Sequence, residues 1–143
     1  MARDMHKLIA GIPYARLLGI DCMPIDEQFI FKLPRNDDNL GNPTLPALHG
    51  GVMGGFMETS GALHLMMFAN TVNIPKVVDF SIDYLSPGRH RDSFASCKLV
   101  RQGRKIANIS CTMAHAKDEA NPIAGINWEK PIAMARMNFL MVD

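Results

Sequence analysis

Apolar residues follow a helical spacing from about Ala47 to Ala69 and cover almost the whole circumference of the predicted helix. They are Leu48, Val52, Met53, Phe56, Met57, Leu63, Leu65, Met66 and Phe68. A helix without a clean polar face is buried on all sides, and a sheet wrapped around one central helix is the simplest way to bury it. Gly54, Gly55 and Gly61 each cost roughly 1 kcal/mol relative to alanine inside a helix. They therefore predict close approach of the helix to a sheet or to another chain.

The hydrophobic period changes to two after Pro75, which predicts strands. Residues 78–84 alternate between apolar and polar side chains. Residues 95–99 and 107–113 repeat this alternation on either side of a tight turn at Gln102-Gly103. A short last strand is predicted at 123–128. The apolar residues 131–143 are interpreted as a C-terminal extension that covers a pocket mouth or packs on a neighbouring subunit.

The N-terminal third contains shorter elements. Residues 4–18 predict a helix that is broken or restarted at Pro13 and stopped at Gly19. Two strands, at 20–22 and 29–33, follow around a turn, and residues 35–46 form a polar loop. The predicted order of elements is a helix, two strands, a long helix and four strands. This order predicts that residues 1–143 form one antiparallel α+β domain.

Composition narrows the possible partners. The 143 residues are 20% charged and 48% hydrophobic, with a net charge of +1, which indicates a globular domain. A chain without a basic stripe lacks the electrostatic footprint of a nucleic-acid-binding protein, and its apolar runs are too short to span a membrane. Three widely spaced cysteines without a secretory signal before them predict reduced thiols and a cytoplasmic protein. No metal-ligand spacing is visible among the histidines and cysteines.

Glu58 is the most informative candidate residue. It is the one formally charged residue between Asp38 and Lys76, and it lies within the apolar helix. Burying a carboxylate raises its pKa toward the range that is useful for a general base or nucleophile. Gly50 and Gly51 open the same helix, where unpaired N–H groups can stabilise an oxyanion. This equipment indicates acyl transfer, with His49 as a substrate contact or a structural residue.

The segment His49-Gly50-Gly51-Val52, with an acid nine residues after the histidine, resembles the hotdog-fold acyl-CoA thioesterases of the phenylacetic-acid-pathway type. The strand at 78–87 and the turn at 101–104 resemble the same family. The resemblance implies a hotdog fold, an antiparallel sheet around a long central helix. It also implies that Glu58 activates water or attacks the thioester and that the Gly50 N–H stabilises the oxyanion.

Further site residues follow from the same resemblance. Asn42 lies one residue from the position of an Asn or Gln that holds the water or the carbonyl in relatives, and Val77 stands where some relatives carry Ser or Thr. The substrate CoA, which is not a separate cofactor, is expected to contact the segments 84–89 and 101–106. The expected substrate-binding residues are Gly51, Val77, Tyr84, Ser86, Arg89, Arg101, Gly103, Arg104 and Lys105.

Geometry predicts that the site is shared between two chains. Gly50 and Glu58 are eight positions apart, which corresponds to about 12 Å of rise along a helix. One carbonyl cannot contact both residues of one chain, whereas two antiparallel copies can bring Gly50 of one next to Glu58 of the other. The prediction is a homodimer or a dimer of dimers that is inactive as a monomer.

Two other functions remain open. Val77 lacks the hydroxyl that some relatives carry at this position, and Asn42 lies one residue from the position of the amide in relatives. Both features favour a non-catalytic module that binds acyl-CoA. A dehydratase of the same fold requires a histidine about fourteen residues before the helix acid, where this chain has Thr44. Within the thioesterase interpretation, water activation and a covalent anhydride use the same carboxylate.

Overall fold

The computed structural model describes residues 4–25, 27–69, 71 and 73–141. The predicted N-terminal helix is two short helices, α1 (Met5–Ala10) and α2 (Pro13–Leu18). Pro13 occupies the first position of α2, where its missing N–H is not needed. Gly19 ends α2 with φ 71°, a conformation that glycine adopts without strain. The predicted break and stop are confirmed.

The strand bounds are β1 Asp21–Ile25, β2 Gln28–Leu33, β3 Leu40–Asn42, β4 Ala47–Leu48, β5 Lys76–Tyr84, β6 Ser93–Gln102, β7 Ile106–Ala114 and β8 Ala133–Leu140. Among the described residues, six of these strands form one antiparallel sheet in the order β1-β2-β6-β7-β8-β5. The other two, β3 and β4, form a separate hairpin that comes between β2 and the long helix in chain order.

The long helix α3 (Gly50–Phe68) lies against the inner face of this sheet and contacts β5, β6, β7 and β8. Its buried side chains join those of α1, α2 and the inward-facing strand positions in one core. The largest fully buried members include Phe31, Phe56, Leu63, Leu65 and Ile109. The α+β class and the hotdog arrangement are therefore confirmed. No helix in the described ranges is long and apolar enough to cross a membrane.

The predicted start of the long helix at Ala47 is wrong, because Ala47–Leu48 is strand β4. Leu48 donates its N–H to the Gly88 carbonyl oxygen at 2.8 Å, and His49 donates its N–H to Asn39 at 2.9 Å. These two bonds hold the chain extended until His49, which caps the helix.

The predicted last strand and C-terminal extension are also wrong. Residues 123–128 form a 3-10 turn at Pro122–Ala124 and an isolated bridge between Ala116 and Ile126. The last strand is β8, which runs through the supposed extension and pairs with both β7 and β5. Its inward residues Ala133, Ala135, Met137 and Phe139 are buried and alternate with more exposed ones, the period expected of a strand with one face on the core.

Strand β5 is the long, unpaired edge of the sheet. The register of β5 against β8 shifts between Val77 and Asp79, so Val78 is the extra residue of a bulge and is 50% exposed. The other edge, β1, is only five residues long and contains Pro24, which lacks a donor for further pairing. Strand β5 is therefore the edge that is available to another chain.

Replacing Gly61 by valine is expected to lower the free energy of unfolding by about 2 kcal/mol through overpacking. A Cβ at Gly61 would lie 2.6 Å from Met137 Sδ and 3.3 Å from a Phe139 ring carbon. The matched control is Gly54→Ala, since that Cβ would be 3.7 Å from Phe80 and alanine favours helix. Urea unfolding measures both variants, and a Gly61→Val protein as stable as wild type would contradict this packing.

Candidate active site at the start of the central helix

The turn His49-Gly50-Gly51 leaves one main-chain donor unused. The His49 Nδ1 atom accepts the Gly51 N–H at 2.9 Å, so His49 acts as the cap of α3. The Gly50 N–H has no acceptor in the described part of the chain. It lies at the electropositive end of a 19-residue helix. This position suits stabilisation of a developing oxyanion.

A pocket of about 520 Å³ opens at this turn, and we call it the glycine pocket. Its lining residues are Ala47, Leu48, His49, Gly50, Gly51, Met53, Tyr84, Leu85, Ser86, Pro87 and Gly88. The Tyr84 hydroxyl donates to the Gly50 carbonyl oxygen at 2.8 Å and ties the end of β5 to the start of α3. A Cβ at Gly50 would lie 3.1 Å from that hydroxyl oxygen, so the close approach favours glycine there.

Glu58 lies two turns further along α3 and does not line the glycine pocket. Its side chain is partly buried, and this burial raises the pKa of its carboxyl group. Within the described ranges it has no salt bridge and no side-chain hydrogen bond. A carboxylate without a partner and with a raised pKa is equipped to accept a proton.

Asn42 and Asn39 occupy different environments. The Asn42 Oδ1 atom accepts the N–H groups of Thr44 and Leu45, so its oxygen supports the β3–β4 turn. Asn39 is 7% exposed, and its Nδ2 atom has no hydrogen-bond partner within residues 4–25, 27–69, 71 and 73–141. Its carbonyl oxygen holds the His49 N–H. Asn39 could not be identified from the sequence pattern, because the β3–β4 hairpin separates it from His49 by ten positions.

The remaining predicted residues near β5 have separate contacts. Val77 packs on the core and pairs with Phe139 in β8. Ser86 donates its hydroxyl to the Pro131 carbonyl oxygen at 3.4 Å. Arg89 is exposed and donates its N–H to His115 Nε2 at 3.0 Å.

The cationic turn between β6 and β7 lies at the other end of the sheet. Arg101, Gly103, Arg104 and Lys105 line a pocket of about 640 Å³ together with Val100, Ile106, Asn108 and Asn138. Ile106 pairs with Leu140, which pairs with Lys76 at the start of β5. Tyr84, at the end of β5, touches Gly50. The length of β5 therefore separates the two predicted halves of the site by about 26 Å within one protomer.

Sequence spacing also missed a cluster near the N-terminus. His6, Asp21 and Cys22 present donor atoms that all lie within 4.8 Å of one another. Burial, with Asp21 and Asp4 nearby, raises the pKa of the Cys22 thiol, so the thiol stays protonated at neutral pH. Only folding brings the α1 histidine next to β1.

Comparisons with known proteins identify the family that the chain resembles. The thioesterase superfamily profile matches residues 45–120, which contain α3 and strands β5 to β7. The medium/long-chain acyl-CoA thioesterase YigI of Escherichia coli is 24% identical over 116 residues, covering 71% of this chain and 75% of YigI.

Solved structures show the same fold. A protein from Chromobacterium violaceum is 33% identical with a TM-score of 0.71, covering 96% of this chain and 88% of that one. The BH2602 protein of Bacillus halodurans, solved with CoA, is 17% identical with a TM-score of 0.74, covering 100% of this chain and 97% of that one. The profile match spans more than half of the chain, and the chain therefore belongs to the thioesterase superfamily.

Proposed function

We propose that the protein hydrolyses acyl-CoA thioesters at a site that two protomers share. Gly50 supplies the oxyanion donor, and Glu58 of the other protomer supplies the general base or nucleophile. The observation that carries the proposal is the Gly50 N–H, which has no acceptor among the described residues and lies at the mouth of an apolar pocket. Thioester hydrolysis develops negative charge on the carbonyl oxygen, and a fixed N–H donor lowers the energy of that state. The acyl-CoA activity of YigI and the CoA in BH2602 support CoA as the thiol portion.

The distances support a shared site. Glu58 is about 12 Å of helical rise from Gly50, too far for both to reach one carbonyl. Antiparallel pairing of two β5 edges would bring the Tyr84 end of one protomer next to the Lys76 end of its partner. The Arg101–Lys105 turn of one chain would then approach the glycine pocket of the other. Exposed Val78, Tyr84 and Leu85 along and just beyond β5 supply apolar surface for this pairing.

The acyl group is proposed to be a medium or long aliphatic chain. The glycine pocket is lined by Leu48, Met53, Leu85 and Pro87 in addition to its glycines, and YigI is named for medium/long-chain substrates. Asn39 is the proposed amide beside the carbonyl or the water, because its Nδ2 atom is buried next to His49 and has no partner in the part of the chain that the structure describes.

The test is release of free thiol from a panel of acyl-CoA thioesters. Purified protein is assayed with aliphatic acyl-CoAs of increasing length and with aryl acyl-CoAs, and turnover is expected to be highest with the aliphatic ones. Stabilisation by an acyl-CoA without turnover on any substrate would instead support the non-catalytic binding module. Incorporation of oxygen-18 into Glu58 during a single turnover would identify the anhydride route.

The acid limb of the pH profile is expected at a higher pH than for an ordinary glutamate. Burial raises the pKa of Glu58, and only the carboxylate can accept a proton or attack. Activity therefore falls as the pH drops through this raised pKa. A profile of kcat/KM against pH measures it, and an acid limb at or below the usual glutamate pKa would contradict the assignment.

A further inference from the structure

Three side chains with metal-binding atoms meet where α1 packs beside β1, and we call them the N-terminal cluster. His6 lies on α1, and Asp21 and Cys22 are the first two residues of β1. Within the described ranges, no other three histidine, cysteine or acidic side chains bring their donor atoms within 4.8 Å of one another. None of the three residues lines the glycine pocket. The N-terminal cluster is therefore separate from the candidate active site.

The distances within the N-terminal cluster fit one tetrahedral zinc ion. Zinc binds imidazole nitrogen and carboxylate oxygen at about 2.0–2.2 Å and thiolate sulfur at about 2.3 Å, so tetrahedral ligand atoms lie about 3.4–3.6 Å apart. The His6 Nε2 atom is 3.4 Å from Asp21 Oδ1 and 4.0 Å from Cys22 Sγ. Because His6 and Asp21 are exposed, small rotations of their side chains can close the remaining gap.

The surroundings of the cluster also suit a bound metal ion. Cys22 is buried whereas His6 and Asp21 are exposed, so an ion can reach the cluster from solvent. Asp4 Oδ1 accepts the His6 backbone N–H at 2.9 Å and lies 3.9 Å from His6 Nδ1. A carboxylate beside the second ring nitrogen is the usual neighbour of a metal-bound histidine. A ligand set with thiolate and imidazole selects zinc over magnesium or calcium.

We propose that His6, Asp21 and Cys22 bind one zinc ion, with water in the fourth position. Cys22 binds as the thiolate, so its proton passes to solvent as the zinc–sulfur bond forms. The ion joins α1 to β1 across sixteen positions of sequence. Helix α1 has only six residues, too few to be stable alone, and the ion adds a link that holds it in place. This inference is independent of the proposed function.

Zinc titration of the protein without a histidine tag, after removal of metals with a chelator, tests the inference. Competition with a chromophoric chelator should give one zinc ion per chain with a Kd of about 10 µM or lower. His6→Ala and Cys22→Ser should each raise this Kd at least about tenfold, since changes outside the ligand set already cost that much. Cobalt(II) in place of zinc should give a thiolate-to-cobalt charge-transfer band that Cys22→Ser lacks.

Two matched controls remove the same chemical groups elsewhere. His90→Gln alters another histidine–carboxylate pair, because His90 Nε2 is 2.7 Å from Asp37 Oδ1, and no third ligand joins this pair in the part of the chain that the structure describes. Cys97→Ala alters the thiol that lies opposite Cys111 in the β6–β7 ladder. Both controls should keep the wild-type affinity for zinc.

A second readout locates the ion. Zinc should raise the urea midpoint of the wild type and slow amide hydrogen exchange in α1, and His6→Ala, which changes an exposed residue, should show neither effect. A wild-type Kd above about 10 µM, or an unchanged Kd in His6→Ala, would reduce the cluster to an ion pair between His6 and Asp21 beside a buried thiol. Loss of binding in Cys97→Ala would move the site to β6 and β7 and overturn the inference.

Discussion

Replacing Glu58 by glutamine is expected to reduce acyl-CoA hydrolysis at least a hundredfold, the order of magnitude that a general base contributes. Glutamine has nearly the same shape and can neither accept the proton nor attack the carbonyl. The reduction should appear in kcat rather than in KM, because the substituted group acts on the reacting atoms. The assay is thiol release under saturating acyl-CoA, with Glu27→Gln in the β1–β2 turn as the control for the same chemical change.

The same substitution should not destabilise the protein at neutral pH. Burial raises the pKa of Glu58 in the native state, so the native state binds the proton more tightly than the unfolded chain does. Its contribution to stability is complete below the unfolded pKa and is lost as pH rises through the raised native pKa. Above that pH the wild type carries a partly desolvated charge that Glu58→Gln lacks.

Unfolding in urea at pH about 4 and about 8, on either side of the glutamate range, measures this difference. Glu58→Gln is expected to be at least as stable as wild type at the higher pH, with a smaller advantage at the lower pH. A large loss of stability together with activity would identify Glu58 as a structural residue. Full activity in the variant would remove it from the mechanism.

Mixing two inactive variants is expected to restore activity if the site is shared. Gly50→Pro removes the proposed oxyanion donor at the first helical position, which accepts proline. Its loss should cost about a hundredfold or more in kcat. Gly50→Ala keeps the N–H and serves as the control for the added bulk against Tyr84.

A heterodimer of Glu58→Gln and Gly50→Pro protomers contains one intact site and one doubly defective site. Random exchange makes half of the dimers mixed, so the recovered activity should approach about a quarter of wild type. Subunits are exchanged under mild denaturation and refolded together, and each variant is refolded alone as the control. Absence of recovery, with heterodimers demonstrated by a tag on one variant, would place both residues of each site in one protomer.

The sequence by itself determined the elements whose pattern has one physical solution. Alternation over residues 107–113 requires a strand with one face on the core, and the structure buries Ala107, Ile109, Cys111 and Met113. The apolar circumference of the long helix required burial on most sides, which the sheet provides. The rise of an α-helix sets the separation of Gly50 and Glu58 from their spacing in the sequence alone.

Short apolar segments had no unique local solution. Ala47–Leu48 fits the start of a helix as well as it fits a strand. Its strand conformation is decided by two hydrogen bonds, from the Leu48 N–H to Gly88 and from the His49 N–H to Asn39. Strand β8 is rich in alanine and methionine, residues with high helix propensity, and its strand conformation depends on pairing with β7 and β5. Local preference is weak beside two ladders of backbone hydrogen bonds.

For the candidate site as well, the sequence identified some residues and only the tertiary structure identified others. The sequence identified the lone acid and the glycine turn, because an isolated charge and a helix start are visible along the chain. Only the tertiary structure placed the Arg101–Lys105 turn at the far end of the sheet and Asn39 beside His49. These neighbours come from residues far apart in sequence, and strand order and loop packing, which no local pattern encodes, bring them together.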